Sequence, residues 1–258
     1  MPYRDFREYV TALEKEGEVQ RIQQEVDWDM EAGAITRRSY EIKARAPFFQ
    51  KIKDYPEGYR IFGAPLSSTK RIALTMEMDP DSSFMELSHE FRRRTRNPIK
   101  PIVVKDGPCK ENIQTGDDIN LFQFPAPMVH DGDGGRYICT WHVDVNQDPD
   151  SDWVNWGMYR KMIHNKNTMG GIMLPFQHMP YIFFNKYEAK GKPMEFATAI
   201  APEPVVTFAG CTMFPAGVTE ADMAGAIRKE PVELVKCETV DLYVPATSEI
   251  VFEGYVSP

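Results

Sequence analysis

Residues 137–160 read Y-I-C-T-W-H-V-D-V-N-Q-D-P-D-S-D-W-V-N-W-G-M-Y-R. The first part, Tyr137 to Val145, reads as a strand. The second, Trp153 to Arg160, is the densest set of polar residues embedded in apolar ones. Toward the C-terminus further strands are expected over Ile172 to Leu174, Met194 to Ile200, Val232 to Cys237 and Glu249 to Val256. Two helices interrupt them: Met179 to Lys190, ending at Gly191, and Glu220 to Arg228, with Thr219 as N-cap and Asp222 in the capping-box position. Short strands with two helical inserts point to a β-barrel or open barrel and away from a doubly wound sheet.

Toward the N-terminus, polar Lys110 to Asp118 followed by Phe122, Phe124, Pro125 and Pro127 marks a domain junction. Ahead of it, Phe6, Tyr9, Val10 and Leu13 recur at helical spacing with Gly17 as the stop signal. A strand over Val19 to Val26 and a polar helix over Met30 to Ala46 follow. Phe48-Phe49, Tyr59 to Phe62 and Arg71 to Met76 read as strands punctuated by Pro56, Gly58 and Pro65. The expected class is α+β: an N-terminal α/β domain, residues 1–112, and a barrel-like domain, residues 113–258.

Composition narrows the function. In 258 residues, 30 Lys and Arg face 38 Asp and Glu, giving a net charge of −8. That balance argues against nucleic acid as a partner. The basic run Arg92, Arg93, Arg94 and Arg96 lies in a polar helical stretch, Ser82 to Asn97, and reads as a solvated face. No stretch has the ~18 consecutive apolar residues of a membrane helix. The start, MPYRDFREYV, lacks the apolar core of a secretory signal, so no membrane partner and a cytoplasmic location are expected. Cys109, Cys139, Cys211 and Cys237 show no CxxC pairing. GxxxxGK[ST], GxGxxG, GxSxG and HExxH are absent as well.

Chemistry must come from rarer arrangements. Asn155, His178 and Glu220 offer an amide oxygen, an imidazole nitrogen and a carboxylate, a mixed set suited to Mn²⁺ or Mg²⁺ more than to zinc. Their gaps of 23 and 42 residues match no local metal motif. A turn asparagine before Gly157, a hydrogen-bonded core histidine and a first-turn helix glutamate account for them equally well. Arg160, among Met158, Tyr159 and Met162, calls for an anionic partner, either a bound carboxylate or phosphate or an internal acid.

Joined in order, N-W-x-x-x-R (Asn155 to Arg160), P-x-Q-H (Pro175 to His178), P-x-G-V-T-E (Pro215 to Glu220) and the long run E-L-V-K-C-x-T-x-D-L-Y-V-P-A-T-S-E-I-V-x-E-G (Glu233 to Gly254) resemble the UbiD family of prenylated-FMN decarboxylases. D-x-x-L-F-x-F-P-A-P from Asp118 and D-G-D-G-G-R-Y-I from Asp131 extend the resemblance, which covers essentially the whole chain and is strongest toward the ferulic and cinnamic acid decarboxylases. Gly157, Met158 and Tyr159 depart from that branch, which leaves the acid unnamed.

The resemblance implies a split β-barrel flavin-binding domain after the N-terminal domain, with the family's C-terminal oligomerisation domain missing. It implies Asn155, His178 and Glu220 as Mn²⁺ ligands that also hold the flavin phosphate. Gly157, Met158, Tyr159, Arg160, Gln177, His178, Gly210, Cys211, Thr212 and Met213 would line the flavin. Trp156, Ala209, Gly210 and Thr212 would bind K⁺ through backbone carbonyls, sharing Glu220. The catalytic residue it assigns to this chain is Arg160, orienting the carboxylate of an aromatic or α,β-unsaturated acid while the flavin carries the reversible decarboxylation. Arg160 is accordingly expected to face the flavin pocket and not solvent. A flavin prenyltransferase as cofactor supplier and a homo-oligomeric full-length form are further implications.

The family's E-x-x-x-x-E motif, which supplies the catalytic acid, would fall beyond Pro258. Glu249 and Glu253 do not replace it, since they belong to the preceding strand at a spacing of four. The expectation is therefore an N-terminal and flavin-binding part that is inactive in isolation. A noncatalytic flavin- and metal-binding subunit of a split enzyme is the alternative; a flavin reductase-like oxidoreductase would have no use for the Asn155, His178, Glu220 set.

Overall fold

The computed structural model describes residues 3–258. The first half runs α1 (Phe6–Lys15), β1 (Val19–Val26), α2 (Glu31–Glu41), β2 (Ala46–Ile52), β3 (Ile61–Phe62), α3 (Thr69–Thr75), α4 (Phe84–Arg94) and β4 (Ile102–Val103). After a connection of short turns come β5 (Tyr137–Cys139), β6 (His142–Gln147), β7 (Val154–Gly157), β8 (Lys161–Asn165) and β9 (Thr168–Gly171). Then follow α5 (His178–Ile182), β10 (Met194–Ile200), α6 (Pro204–Gly210), α7 (Glu220–Arg228), β11 (Glu233–Lys236), β12 (Tyr243–Pro245) and β13 (Ile250–Val256).

In the N-terminal sheet, β2 lies between parallel β1 and antiparallel β3. Successive strand residues point to opposite faces. Phe48 accordingly packs with Phe6, Tyr9 and Leu13 of α1, and Phe49 with Val26, Ala32 and Ile52 on the α2 side. The Arg71 to Met76 expectation is overturned. It is helix α3, begun by Ser68, whose Oγ accepts from the Arg71 N–H at 3.2 Å. Arg71 is buried, donating to Glu18 Oε2 at 2.9 Å and to the carbonyls of Ala64 and Ala44. Arg94 likewise leaves the expected solvated face, donating to the buried carbonyls of Met76 and Ile227 at 2.6 Å.

The C-terminal half does not close into one hydrogen-bonded barrel: its strands form three sheets, β13-β10-β6-β7, β5-β8-β9 and β12-β11, the last extended by β4 from the first half. The expected strand Tyr137 to Val145 breaks into β5 and β6. No strand forms over Ile172 to Leu174, where the chain has just left β9. Met179 to Lys190 is a composite: α5, a π-turn and a 3-10 turn, stopped at Gly191 with φ 61°. Helix α6 is not signalled by periodicity because nearly every residue of it is buried, leaving no polar face. Thr219 makes no side-chain cap, so the expected capping box with Asp222 is not formed. Among the described residues no helix is long and apolar enough to cross a membrane, and all four cysteines are free.

Strand β6 decides where the site lies. Val143 and Val145 turn to one face and join Trp156, Ala197 and residues of α6 and α7 in the main core. His142, Asp144 and Asn146 turn to the other, and all three are fully buried. Asp144 Oδ1 accepts from Lys161 Nζ of β8 and from Thr198 Oγ1 of β10, while Oδ2 accepts from the Tyr159 N–H at 3.3 Å. His142 Nε2 lies 3.1 Å from Asp144 Oδ2 and 3.2 Å from the Tyr159 carbonyl, two acceptors, so that nitrogen carries the proton.

Burial alone would raise the Asp144 carboxyl, but Lys161 and His142 outweigh it and hold it well below the usual carboxylate range. A depressed carboxyl pKa stabilises the fold above the unfolded-state value and loses that contribution as pH falls through it. Asp144→Ala, which strands the Lys161 charge, should cost about 3–5 kcal/mol. The paired replacement Asp144→Asn/Lys161→Met should fold and flatten the decline in stability below about pH 4. Denaturant melts from pH 7 to pH 2 read both outcomes.

Candidate active site

The expected ligands arrive from three elements and are tied together mainly by backbone groups. Asn155 is in β7, His178 opens α5, and Glu220 is the first residue of α7. Glu220 Oε2 accepts from the Trp156 N–H at 2.7 Å, which sets the carboxylate beside the neighbour of Asn155. Tyr159 supplies the other tie: its hydroxyl accepts from Asn155 Nδ2 at 3.5 Å and from the Met179 N–H, next to His178, at 3.0 Å. The His178 ring sits edge-on to Trp153 with centroids 5.1 Å apart. Among the described residues no three of His, Cys, Asp and Glu form a metal-sized group, so a centre here depends on the amide of Asn155.

That amide keeps an open acceptor. Asn155 Nδ2 donates to Asn146 Oδ1 at 2.9 Å, which fixes its orientation and leaves the fully buried Oδ1 without a protein partner. An orphaned buried acceptor is costly unless something else satisfies it. Glu220, 1 % exposed, has its carboxyl pushed up to about 7 by burial, against the opposing pull of the Trp156 N–H and its own N–H. Desolvation also lowers the His178 imidazole, which keeps it neutral and able to ligate.

Arg160 contradicts the expectation of a secluded side chain. It is exposed, with its guanidinium 5.7 Å from the Tyr137 ring centroid, and no carboxylate among the described residues pairs with it. Tyr159 is a buried bracket folded back over Gly157, where an added Cβ would lie 2.4 Å from the ring. Met158 and Gln177 are half-buried. Ala209 and Gly210 are buried at the end of α6, and Thr212 is half-buried beyond it. Cys211 and Met213 are exposed, Met213 to 92 %, with Phe176 at 80 % across the same half of the chain. The candidate residues therefore divide into a buried group, Asn155, Trp156, Gly157, Tyr159, Ala209, Gly210 and Glu220, and an exposed rim of Arg160, Cys211 and Met213. A cavity of about 780 Å³ lies elsewhere, between β13 and the connection around residues 109–124.

The motifs do not point to His142, Asp144, Asn146 or Lys161, although all four support the site. A signal was available: the H-V-D-V-N alternation gives β6 a polar face, and only its coverage by β8 and Tyr159 shows that this face is interior.

Comparison with known proteins gives a consistent account. Residues 101–258 match the 3-octaprenyl-4-hydroxybenzoate carboxy-lyase Rift-related domain, and residues 10–91 match the corresponding N-terminal domain. The pyrrole-2-carboxylic acid decarboxylase of Pseudomonas aeruginosa is 38% identical over 98% of this chain and 52% of its own length. A ferulic acid decarboxylase of Saccharomyces cerevisiae is 35% identical over 99% of this chain and 53% of its own length. Among solved structures, the closed form of the Sedimentibacter hydroxybenzoicus vanillic acid decarboxylase aligns with a TM-score of 0.94 at 33% identity, covering 100% of this chain and 56% of that one. The UbiD-class enzyme HmfF of Pelotomaculum thermopropionicum, in complex with FMN, aligns at 0.89 with 30% identity, covering 98% and 55%. The chain spans about half the length of the curated relatives it matches.

Gly157→Ala should force the Tyr159 ring off its partners and destabilise the protein by about 1–3 kcal/mol. Thermal melts read the loss, and Gly157→Ala/Tyr159→Phe should not restore the Asn155 and Met179 contacts, because it removes the hydroxyl that makes them.

Proposed function

The chain belongs to the UbiD family, and from that premise we propose that it holds prenylated FMN and Mn²⁺ for reversible, non-oxidative decarboxylation of an aromatic or α,β-unsaturated acid. Asn155 Oδ1 carries the reading: it is a buried acceptor with no protein partner, next to the residue whose N–H anchors Glu220. Amide oxygen, neutral imidazole and carboxylate make a donor set that fits a hard divalent cation. Such a cation would offset the burial that favours the protonated form of Glu220.

Prenylated FMN, when bound, supplies the electron sink for carbon–carbon cleavage. This chain's residues bind and orient. In the proposal Gly157, Met158, Tyr159, Arg160, Gln177, His178 and Gly210 to Met213 line the flavin. Carbonyls of Trp156, Ala209, Gly210 and Thr212 hold K⁺ together with Glu220; the Ala209 carbonyl accepts from the Thr212 N–H at 3.0 Å and keeps a second lone pair free. A phosphate near −2 with the Glu220 carboxylate balances Mn²⁺ plus K⁺, which avoids burying uncompensated charge. Arg160, unpaired and exposed, offers a planar fork of donors to the substrate carboxylate.

Proton return is not assigned to β13. Glu249 accepts from Arg7 Nε and Nη2 at 2.5 and 2.7 Å, and Glu253 accepts from the N–H groups of Glu238 and Thr239 and from the Thr239 hydroxyl. With no carboxylate among the described residues paired with Arg160, these 258 residues alone are proposed to bind the cofactors without turnover. A general acid is typically worth 10²–10⁴ in rate.

The test supplies the purified chain with prenylated FMN, Mn²⁺ and a panel of cinnamic, phenolic and heteroaromatic acids. Mn²⁺ should bind, weakened about tenfold or more by Asn155→Ala, His178→Ala or Glu220→Gln, with no carbon dioxide released. Unchanged Mn²⁺ affinity in all three variants would refute the shared centre. Turnover at the rate of the longer relatives would place the proton donor in this chain, with Glu253 the first candidate. In a turnover-competent form, Arg160→Ala should abolish decarboxylation while sparing flavin retention.

A further inference from the structure

The bend between β7 and β8 consists of Met158, Tyr159 and Arg160, three residues outside any strand ladder. Backbone groups at such a buried bend need partners from elsewhere. Tyr159 finds both on one side-chain cluster: its N–H donates to Asp144 Oδ2 at 3.3 Å and its carbonyl accepts from His142 Nε2 at 3.2 Å. Asp144 is held in turn by Lys161 and Thr198, from two different strands. The next residue, Arg160, has no ion-pair partner of its own among the described residues. The peptide before it sets where its side chain leaves the backbone, and the Tyr137 ring, 5.7 Å from the guanidinium, lies beside its far end.

We propose that His142, Asp144 and Lys161 form a positioning unit that clamps the Tyr159 peptide and thereby aims Arg160 at the substrate carboxylate. The inference rests on the role given to Arg160 above. A cluster that only stapled β6 to β8 would work as well with an apolar pair of similar volume, since buried ion pairs are often replaceable without loss of stability. A clamp would not, because apolar side chains offer the Tyr159 N–H no acceptor. Misplacement of a binding group by about 1 Å can cost roughly 10²-fold in rate, so the clamp has a functional consequence separable from folding.

The experiment compares the wild-type chain with Asp144→Leu/Lys161→Met, Asp144→Asn/Lys161→Met, His142→Phe and His142→Gln. Hydrogen exchange resolved at residues 157–161 is the first readout, and the affinity of the FMN-loaded chain for benzoate is the second. In the leucine variant, exchange at Tyr159 should rise about tenfold or more, as expected for losing a hydrogen bond to a charged acceptor. Amides of β10 should be unchanged. FMN affinity should stay within about threefold while benzoate binding weakens by about tenfold or more.

The asparagine variant keeps an acceptor and should recover most of both. His142→Gln keeps a donor for the Tyr159 carbonyl and should bind benzoate more tightly than His142→Phe, so equal affinity in that pair would overturn the His142 half of the clamp even if the leucine variant does not fold. Wild-type exchange at Tyr159 in the leucine variant would overturn the Asp144 half. Faster exchange with undiminished benzoate affinity would overturn its link to Arg160. Benzoate binding that Arg160→Ala leaves untouched would instead sink the role of Arg160, and the exchange data would still decide the clamp.

Discussion

The contact between Asp144 and Lys161 joins two sheets that share no hydrogen-bonded ladder. Asp144 stands on the inner strand β6 of the four-stranded sheet and Lys161 at the start of β8 in the three-stranded one. Thr198, from β10, donates to the same carboxylate oxygen. An isolated carboxylate at that depth would be too expensive to keep charged, and the ammonium alone would be equally costly. Each group therefore needs the other in place, and that mutual requirement fixes the distance between the sheets.

The geometry of the site follows from that spacing. With β7 and β8 held together, the bend between them carries Tyr159 inward, where its hydroxyl reaches both Asn155 and the start of α5. Helix α7 closes the arrangement, because the first carboxylate of α7 meets the Trp156 N–H. Among the groups left with unused capacity are the buried acceptor Oδ1 of Asn155 and the exposed guanidinium of Arg160, beside the buried Trp156 Nε1 and His142 Nδ1. An open amide oxygen suits a cation and a guanidinium an anion, and the two lie five residues apart in sequence.

The N-terminal part is built differently, although its Ala73, Met76 and Leu87 enter the main core with Trp156 and Ala209. Its sheet is organised by apolar side chains on both faces of β2 and by buried Arg71, whose donors satisfy loop carbonyls. It meets the second half where Arg136 stacks on the Trp28 ring at 4.2 Å and the Met30 N–H donates to the Met128 carbonyl at 2.9 Å. Arg7 adds a paired contact to Glu249.

Much was legible from local pattern. The strand over Met194 to Ile200 and the helix over Glu220 to Arg228 have the bounds their sequences announce, and the spaced motifs around Asn155, His178 and Glu220 identify the family. These signals survive because each is carried by a short segment: alternation, a cap or a fixed run of residue types. Helix α6 was not legible in that way, since an element buried on nearly all sides loses the polar stripe that reveals its period, and α3, seven residues long with a buried arginine, is too short to show one. Nor could spacing say that the polar face of β6 is interior. Whether His142, Asp144 and Asn146 meet water or one another depends on which distant strand covers them. The amino-acid order determined the family, the main elements and the donor types; only the packing of β8 and Tyr159 over β6 decided which donors are satisfied and which are left for a ligand, because burial and pairing belong to the assembled fold and not to any one segment.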